Sequence, residues 1–198
     1  MTFPDGTHHD GYSAPAALEP LRQFVNSHGG DDGPDELTTP ASLAGWLQAH
    51  GLLTSDGGTA TPPTDEDLAF AVSLREALRS LLLSNHDGDP PSPAAIEVLN
   101  AAADRACMSV RFSATGWNVC ACGTPGIPGA LGRLLQMVTD AQKDGTWTRL
   151  KVCPAGTCGW AFYDVSRNRS RRWCSMEICG NRAKVGAYRD RERQSAGA

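Results

Sequence analysis

Four cysteines near the C-terminus constrain this chain more than any other feature. They form two Cys-x(4)-Cys pairs, Cys153 with Cys158 and Cys174 with Cys179, and fifteen residues separate the pairs. A tetrahedral four-thiolate zinc ion takes two ligands from one tight turn and two from a second turn that a short element brings back. The spacing therefore predicts a structural Zn²⁺ site, in which four protein ligands leave no open position for a water or a substrate.

Buried thiols or disulfide bridges are the alternative for these cysteines. The chain has seven cysteines, an odd number, and in a reducing compartment a close-spaced cluster binds metal more often than it forms disulfides. Cys107, Cys120 and Cys122 lie outside the cluster. For the Cys120-x-Cys122 pair, the pattern favours small buried thiols of a strand over redox or metal chemistry, and Cys107 receives no role.

The composition is typical of a globular protein with long loops. Hydrophobic residues make up 40% of the 198 residues and charged residues 20%, with 21 glycines and 13 prolines. No stretch approaches the roughly 18 apolar residues of a membrane span, and the first twenty residues lack the basic segment and apolar run of a secretory signal. We therefore expect a cytoplasmic protein with no membrane partner.

Charge is distributed unevenly along the chain. Although the formal net charge is -4, residues 149–193 carry a net charge of +7 and the remainder carries -11. An acidic body joined to a basic module is expected when one part must approach a polyanion. Arginine dominates the module, and its planar fork suits phosphate or guanine. The candidate contact residues are Arg167, Arg169, Arg171 and Arg172 on a predicted hairpin, and Arg182, Lys184 and Arg189 on a predicted helix.

A solvated surface is the alternative for this basic charge. Some of the arginines are then paired with Asp164, Glu177 or Asp190, or they offset the net charge of about -2 that four thiolates leave on a zinc site. Asn181 and Ser170 are as well suited to capping and turn formation as to reading bases.

Hydrophobic periodicity predicts a mainly helical N-terminal domain. A tail over residues 1–14, rich in Gly, Pro, Asp and His, is expected to be disordered. Cys107–Phe112 and Trp117–Cys122 alternate as an antiparallel hairpin should. Helices are predicted over residues 15–27, 39–51, 64–85, from Ser92 onward, and over 126–142. With a boundary near residue 145, the predicted units are the tail, a helical domain over 15–145 and a zinc module over 146–198.

The module is predicted to be built from a turn, a hairpin and a helix. A strand over residues 146–152 leads into the first cysteine pair, whose proline and glycine allow a tight turn. Residues 159–164 are expected to form one strand of a hairpin, and residues 171–173 the second strand. Cys174 and Cys179 then begin a helix running to about Arg193, a treble-clef-like arrangement, with aromatic cover from Trp160, Phe162, Trp173 and Tyr188. The predicted fold class is α+β, with a small antiparallel sheet in the helical domain and a four-cysteine zinc module.

The segment CGWAFYDVSRNRSRRWCSMEICGNRAK, residues 158–184, resembles the CGNR zinc-finger family. The family is named for the tetrad that stands here at Cys179, Gly180, Asn181 and Arg182. The preceding region is similar to the helical ABATE-type domain found with that finger, through FVN at 24–26, LAGWL at 43–47 and LREALRSLL at 74–82. The family is regarded as bacterial, stress-related transcription regulators. The resemblance implies that the zinc module binds DNA and that the protein is associated with the nucleoid.

The leading hypothesis is a regulator that binds double-stranded DNA. Its acidic helical domain would sense a small-molecule effector or mediate assembly, and a homodimer would supply more base contacts than one small module. Trp46 and Trp117 are candidates for an effector pocket, although core packing is the commoner role of such residues.

Two other classes compete with this hypothesis. A protein-interaction adaptor would use the structural zinc module to bind an acidic partner, and RNA could replace DNA as the polyanion. We do not expect an enzyme, because the chain has no glycine-rich phosphate loop, no nucleophile elbow and no His/carboxylate grouping with metal-ligand spacing.

Overall fold

The computed structural model describes residues 13–29, 33–53, 62–121, 123–156 and 158–196. Its helices are α1 (Glu19–Asn26), α2 (Pro40–Ala49), α3 (Asp65–Asp87), α4 (Pro93–Arg105), α5 (Gly126–Asp144) and α6 (Asn181–Ala196). Its strands form two antiparallel pairs, β1 (Ser109–Ser113) with β2 (Gly116–Cys120) and β3 (Leu150–Val152) with β4 (Ala161–Tyr163). The predicted α+β class is confirmed. Among the described residues, no helix is long and apolar enough to cross a membrane.

Local sequence signals determine where the helices begin and end. The side chains of Thr39 and Thr64 each accept the backbone N–H three residues ahead and complete capping boxes at the starts of α2 and α3. Helix α3 opens with three acidic residues, which complement the helix dipole, and stops at Gly88, whose φ of 79° favours glycine. Helix α1 starts at Glu19 rather than at the predicted Pro15, because residues 16–18 form a turn.

The predicted disordered tail over residues 1–14 is only partly within the described chain. Residues 1–12 lie outside the described residues. Ala14 is buried, and its backbone N–H donates to the Glu19 carboxylate over 2.8 Å. Ala14, which lies within the predicted tail, is therefore held in the fold.

Helix α3 is the centre of the hydrophobic core. Its Leu74, Leu78 and Leu82 are fully buried and face helices on several sides. Each such leucine contributes about 1.5–3 kcal/mol by leaving water. The surrounding helices supply further fully buried residues, namely Leu21, Phe24, Leu43, Leu47 and Leu134.

The strand pair β3–β4 belongs to two hydrophobic clusters at once. Leu150, Val152, Ala161 and Tyr163 pack in the helical core, whereas Phe162 packs with the four cysteines. This division follows from strand geometry, because successive side chains point to opposite faces. The helical domain and the zinc module therefore share one strand pair.

The predicted pairing of residues 159–164 with residues 171–173 in the zinc module is wrong. Strand β4 pairs with β3 across the first cysteine turn, with Lys151 opposite Phe162, and residues 171–173 form no strand. The reason is that the Asp164 carboxylate, rather than a strand backbone, accepts the Arg171 N–H over 2.9 Å. The predicted strand over 146–152 is also shortened, since a 3-10 turn at Trp147–Arg149 precedes β3.

The hairpin β1–β2 is confirmed, with Phe112 opposite Trp117. Phe112 is 83% exposed and Trp117 48%, so Trp117 stands on the surface, while Trp46 is buried in stacking contact with His50. The two tryptophans therefore do not form one pocket.

Cys120 is buried, as expected, but it is disulfide-bonded rather than a free thiol. Cys107, to which the sequence assigned no role, is an exposed free thiol. Cys122 lies outside the described residues.

Side chains of α1 and α3 clamp the helical domain onto the zinc module. The buried Asn26 amide donates to the Ala161 carbonyl over 2.9 Å and accepts the Ala161 N–H over 2.7 Å. The Arg79 guanidinium donates to the carbonyls of Gly159 and Val25. Asn85 donates to the Leu150 carbonyl over 3.0 Å. These bonds satisfy backbone groups on both sides of the interface.

Replacing Asn26 by leucine should therefore destabilise the whole protein. The variant leaves two buried backbone groups of Ala161 unpaired, and each costs about 1–3 kcal/mol. We expect the free energy of unfolding in urea to fall by about 2–6 kcal/mol. Asn118→Leu on the exposed strand β2 is the matched control and should change it by less than about 0.5 kcal/mol. Equal stability of the two variants would contradict this role of Asn26.

Candidate metal centre and basic surface

The four predicted zinc ligands come together in space. Their Sγ atoms all lie within 4.8 Å of one another. The Sγ atoms of Cys158 and Cys174 are 3.5 Å apart, and those of Cys174 and Cys179 are 3.7 Å apart. Zn–S bonds of about 2.3 Å in a tetrahedron place sulfurs about 3.8 Å apart. The geometry, the burial of all four side chains and the all-sulfur donor set fit a structural Zn²⁺ ion.

Short turns aim each pair of cysteines at the centre. In the first, the Cys158 N–H donates to the Ala155 carbonyl over 2.8 Å, and the Cys153 N–H donates to the Trp160 carbonyl over 2.9 Å. In the second, the Ser175 hydroxyl accepts the Ile178 N–H at the start of a π-helical turn, Met176–Gly180, that contains Cys179. The predicted helix start at Cys174 is therefore this turn, and α6 follows it.

Gly180, the second residue of the CGNR tetrad, lies where the second turn packs most tightly. A Cβ atom at this position would stand 2.4 Å from Met176 Sδ and 3.2 Å from Trp173 Cδ1. Met176 is 52% exposed and flexible, so its side chain can move aside, whereas Trp173 would have to shift by a few tenths of an ångström. Packing against Trp173 therefore favours the glycine.

Four buried thiols this close together cannot all ionise without a cation. Hydrogen bonds from Cys158 and Cys174 lower the pKa of Cys153 to about 2, which makes this residue the first thiolate. The hydrogen bond to Cys153 raises the pKa of Cys158 to about 12, and the Cys153 and Cys158 bonds raise the pKa of Cys174. Burial raises the pKa of Cys179. A divalent cation would supply the charge that stabilises the other three thiolates.

Aromatic cover of the cluster matches the prediction at three of four residues. Phe162 is fully buried against the cysteines, and Trp160 and Trp173 pack around them. Tyr188 was expected to join them, but this expectation is wrong. It is 57% exposed, and its hydroxyl donates to Glu192 one turn further along α6.

The buried carboxylate of Asp164 organises the loop that follows β4. Asp164 is fully buried and accepts from Lys151 Nζ over 2.8 Å, from the Ser166 N–H and from the Arg171 N–H. Burial acts to raise the pKa of Asp164, but the Lys151 and Ser166 hydrogen bonds outweigh it and lower the pKa. Lys151 also donates to the Arg169 carbonyl over 2.6 Å. One ion pair thus holds both ends of residues 165–172, which we call the arginine loop.

The arginine loop directs its guanidinium groups in different directions. Arg167 and Arg172 are exposed, the latter with its guanidinium 5.6 Å from the Trp173 ring centre. Arg169 is exposed and donates to Thr148. Arg171, by contrast, turns inward, stacks over Phe162 at 5.2 Å and donates to the carbonyls of Trp173 and Cys174.

The predicted contact residues of the helix are all exposed on α6. They are Arg182, Lys184 and Arg189, and within the described residues none has a hydrogen-bond or ion-pair partner. Asn181, between the last cysteine turn and α6, donates to the Glu177 carbonyl over 3.0 Å. Three exposed cations therefore project from the helix.

Sequence reasoning missed that some of the module's basic residues act internally. Lys151 holds Asp164, and Arg149 donates to the carbonyls of Asp164 and Ser166. A signal was present for Lys151, since it stands between Leu150 and Val152 in a strand buried on both faces. Asp164, which the solvated-surface alternative would pair with arginines, pairs with this lysine instead.

Comparison with known families agrees with the geometry. A model described as "CGNR zinc finger" matches residues 149–192. A model named ABATE and described as "Putative stress-induced transcription regulator" matches residues 18–141. The chain belongs to the ABATE family. The arrangement of an ABATE region followed by a CGNR finger confirms the predicted family, and no curated protein matches the chain.

The ABATE and CGNR matches define the coarse character of the protein. The four cysteines lie inside the CGNR match and form the cluster described above. The chain is therefore a zinc-finger protein of a family named for transcription regulation.

Metal content should follow the cysteine cluster. We expect one zinc ion per chain, and Cys174→Ser should lose most of it, because a serine hydroxyl does not ionise as a thiol does. Cys107→Ser removes an exposed thiol outside the cluster and should keep the full zinc content. Zinc is measured with a chromogenic chelator after thiol modification. Full zinc retention by Cys174→Ser would contradict the assigned ligand set.

Loss of the Asp164 carboxylate should disorder the arginine loop and lower the free energy of unfolding of the protein. Asp164→Asn leaves the Lys151 ammonium buried without its counter-charge, and breaking such a pair costs about 3–5 kcal/mol. Because the pKa of Asp164 is lowered in the folded state, the carboxylate stabilises above its unfolded-state pKa of about 4, and this contribution is lost only as the pH falls through the folded-state value. The stability difference should therefore be constant between about pH 5 and 8.

Urea unfolding of the zinc-loaded variant across this pH range measures the effect. Glu177→Gln is the control, since Glu177 is exposed and has no ion pair among the described residues. A loss below about 1 kcal/mol for Asp164→Asn, or one that grows between pH 5 and 8, would refute the role given to the carboxylate.

Proposed function

We propose that this protein is a zinc-dependent transcription regulator that binds double-stranded DNA through the arginine loop and α6. It acts in the cytoplasm, on the nucleoid, and carries out no catalysis. The main observation behind this proposal is that Arg167, Arg182 and Arg189 are exposed on the zinc module and have no hydrogen-bond or ion-pair partner among the described residues. Exposed cations gathered on one small module attract a polyanion.

The division of acidic and basic groups in the module supports this proposal. Asp164 is used internally with Lys151, so it does not neutralise the outer arginines. Of the seven candidate DNA contacts, six present their side chains outward and Arg171 supports the metal centre. We therefore remove Arg171 from the proposed contact set and keep it as a support of the loop.

The zinc ion would act as a structural base for this surface. The Arg171 guanidinium bonds the carbonyl of the ligand Cys174, and α6 begins directly after the ligand Cys179. When bound, zinc holds these segments at a fixed separation through its four thiolates. Loss of the metal should therefore reduce DNA binding through loss of geometry.

The helical domain is proposed to control this activity. A groove of about 410 Å³ lies between the turn before α1, the residues after α2 and the helix α5, with Leu18, Leu52 and Met137 as apolar walls and Asp140 at its side. Its size is in the range of small-molecule sites, which supports effector binding. The exposed Phe112 and Trp117 of the β1–β2 hairpin support a role in assembly, including a homodimer.

The adaptor hypothesis uses the same surface with a different partner. An acidic protein segment would also meet the exposed arginines, and exposed charge alone does not separate the two. The salt dependence of binding separates the two hypotheses. On double-stranded DNA, the logarithm of the binding constant falls with the logarithm of the salt concentration at a slope of about -0.9 per neutralised phosphate.

Binding of a labelled 24-base-pair duplex at several salt concentrations tests the proposal. We expect the zinc-loaded protein to bind, the zinc-free protein to bind much less, and Arg167→Ala/Arg172→Ala to reduce the logarithmic salt slope by about 1.8, or about 0.9 for each lost phosphate contact. Fluorescence anisotropy provides the measurement. Arg111→Ala removes an exposed arginine of the β1–β2 hairpin and should leave the slope unchanged.

Absence of duplex binding at about 50 mM salt would contradict the proposal. If polyglutamate binds the zinc-loaded protein under those conditions, the adaptor function replaces it. Identical slopes for the double variant and Arg111→Ala would remove the arginine loop from the DNA surface.

A further inference from the structure

Helix α6 stands apart from the rest of the molecule. Its described side chains from Arg182 to Ser195 are exposed, apart from the half-buried Ala183. Its main packing partner is the π-helical turn before it, and the helical core contributes no covering face. In proteins most helical stability comes from packing an apolar face. A 16-residue helix without such packing is suited to a partner that provides it.

Three arginines and one glycine line up along one face of α6. At 3.6 residues per turn, Arg182, Gly186, Arg189 and Arg193 fall within about 60° of one another around the helix axis. We call these four residues the arginine stripe. It extends over eleven residue steps, or about 16 Å at 1.5 Å per residue. Val185, which is 49% exposed, flanks the stripe and adds an apolar group beside it.

Gly186 in the stripe has no explanation within the chain. It lies in a helix interior, where glycine is about 1 kcal/mol less favourable than alanine. Its φ is not in the left-handed region, and among the described residues no atom lies within 4 Å of the position that a Cβ would occupy. Neither the backbone conformation nor packing against the described residues therefore requires glycine. A partner that approached the helix backbone closely at this point would require it.

We propose that α6 inserts into the major groove of DNA, with the arginine stripe facing the duplex and Gly186 at the point of closest approach. This inference rests on the proposed function and specifies which element enters which groove. An α-helix with its side chains is about 10–12 Å wide, and the major groove is about 12 Å wide. Arginines on either side of Gly186 can reach guanine edges or phosphates, and Val185 suits a thymine methyl group.

Gly186→Leu tests the insertion without changing charge. Leucine is a better helix former than glycine, so a loss of binding cannot arise from a weaker helix. Gly45→Leu is the matched control, because Gly45 is an exposed interior glycine of α2 with no atom within 4 Å of its Cβ position. Both zinc-loaded variants are titrated with the labelled 24-base-pair duplex at one salt concentration. Helix content is followed by circular dichroism.

We expect Gly186→Leu to bind the duplex at least tenfold more weakly, with unchanged zinc content and equal or higher helix content. Gly45→Leu should bind as the wild type does. Methyl green, which occupies the major groove, should compete with the wild-type protein, and netropsin, which occupies the minor groove, should not. Undiminished binding by Gly186→Leu, or competition by netropsin alone, would overturn the insertion of α6.

The failure of this inference differs from failure of the proposed function. If the wild type binds the duplex, and Arg167→Ala/Arg172→Ala weakens binding while Gly186→Leu does not, the DNA function stands and α6 lies outside the groove. If the wild type does not bind the duplex, the proposed function fails and the insertion of α6 fails with it.

Discussion

Strand β4 lies between two hydrophobic cores, and the rest of the structure depends on that position. Ala161 and Tyr163 face the helices, while Phe162 faces the cysteines. Three residues are too few to hold such a strand by their own ladder. Asn26 supplies a side-chain substitute for a neighbouring strand, and Arg79 bonds the carbonyl of Gly159 just before it. The zinc module is therefore attached to the helical core by hydrogen bonds as well as by packing.

The zinc module also separates buried charges from exposed ones. Lys151 and Asp164 form a buried ion pair, and the pair fixes the loop on whose surface Arg167 and Arg172 stand. Burying two charges carries a desolvation cost that their attraction offsets only with good geometry. Here the Asp164 oxygens accept several further donors, so the carboxylate is well satisfied. Removing one partner would leave the other charge buried and unpaired, so the pair is needed both for the ordered loop and for the stability of the folded module.

Much of the fold could be predicted because it depends on local signals. The helix starts at Thr39, Thr64 and Ser92 follow from side chains that accept backbone N–H groups within one turn. The zinc ligands follow from spacing, since two short turns must each deliver two sulfurs. These features need no knowledge of what the chain packs against.

What could not be predicted depends on contacts distant in sequence. The partner of β4 is β3 rather than residues 171–173, because Asp164 captures the Arg171 N–H and Phe162 fills the cysteine cluster. Arg171 itself looks like its exposed neighbours in the sequence, and only the structure shows it stacked on Phe162. From the sequence, Tyr188 could cover the cysteine cluster as an aromatic residue. It lies instead on α6 and is exposed to solvent.

The two cores give the metal a specific role. The helical core contains no zinc ligand, whereas the second cluster consists largely of the four cysteines and Phe162. So small a cluster cannot order a module alone, and metal binding would supply most of the free energy that does. Loss of zinc should therefore release α6 and the end of the arginine loop at Arg171, which is bonded to Cys174, while the core around α3 remains folded. In this arrangement zinc would control whether the proposed DNA-binding surface exists, and the helical domain would persist in either state.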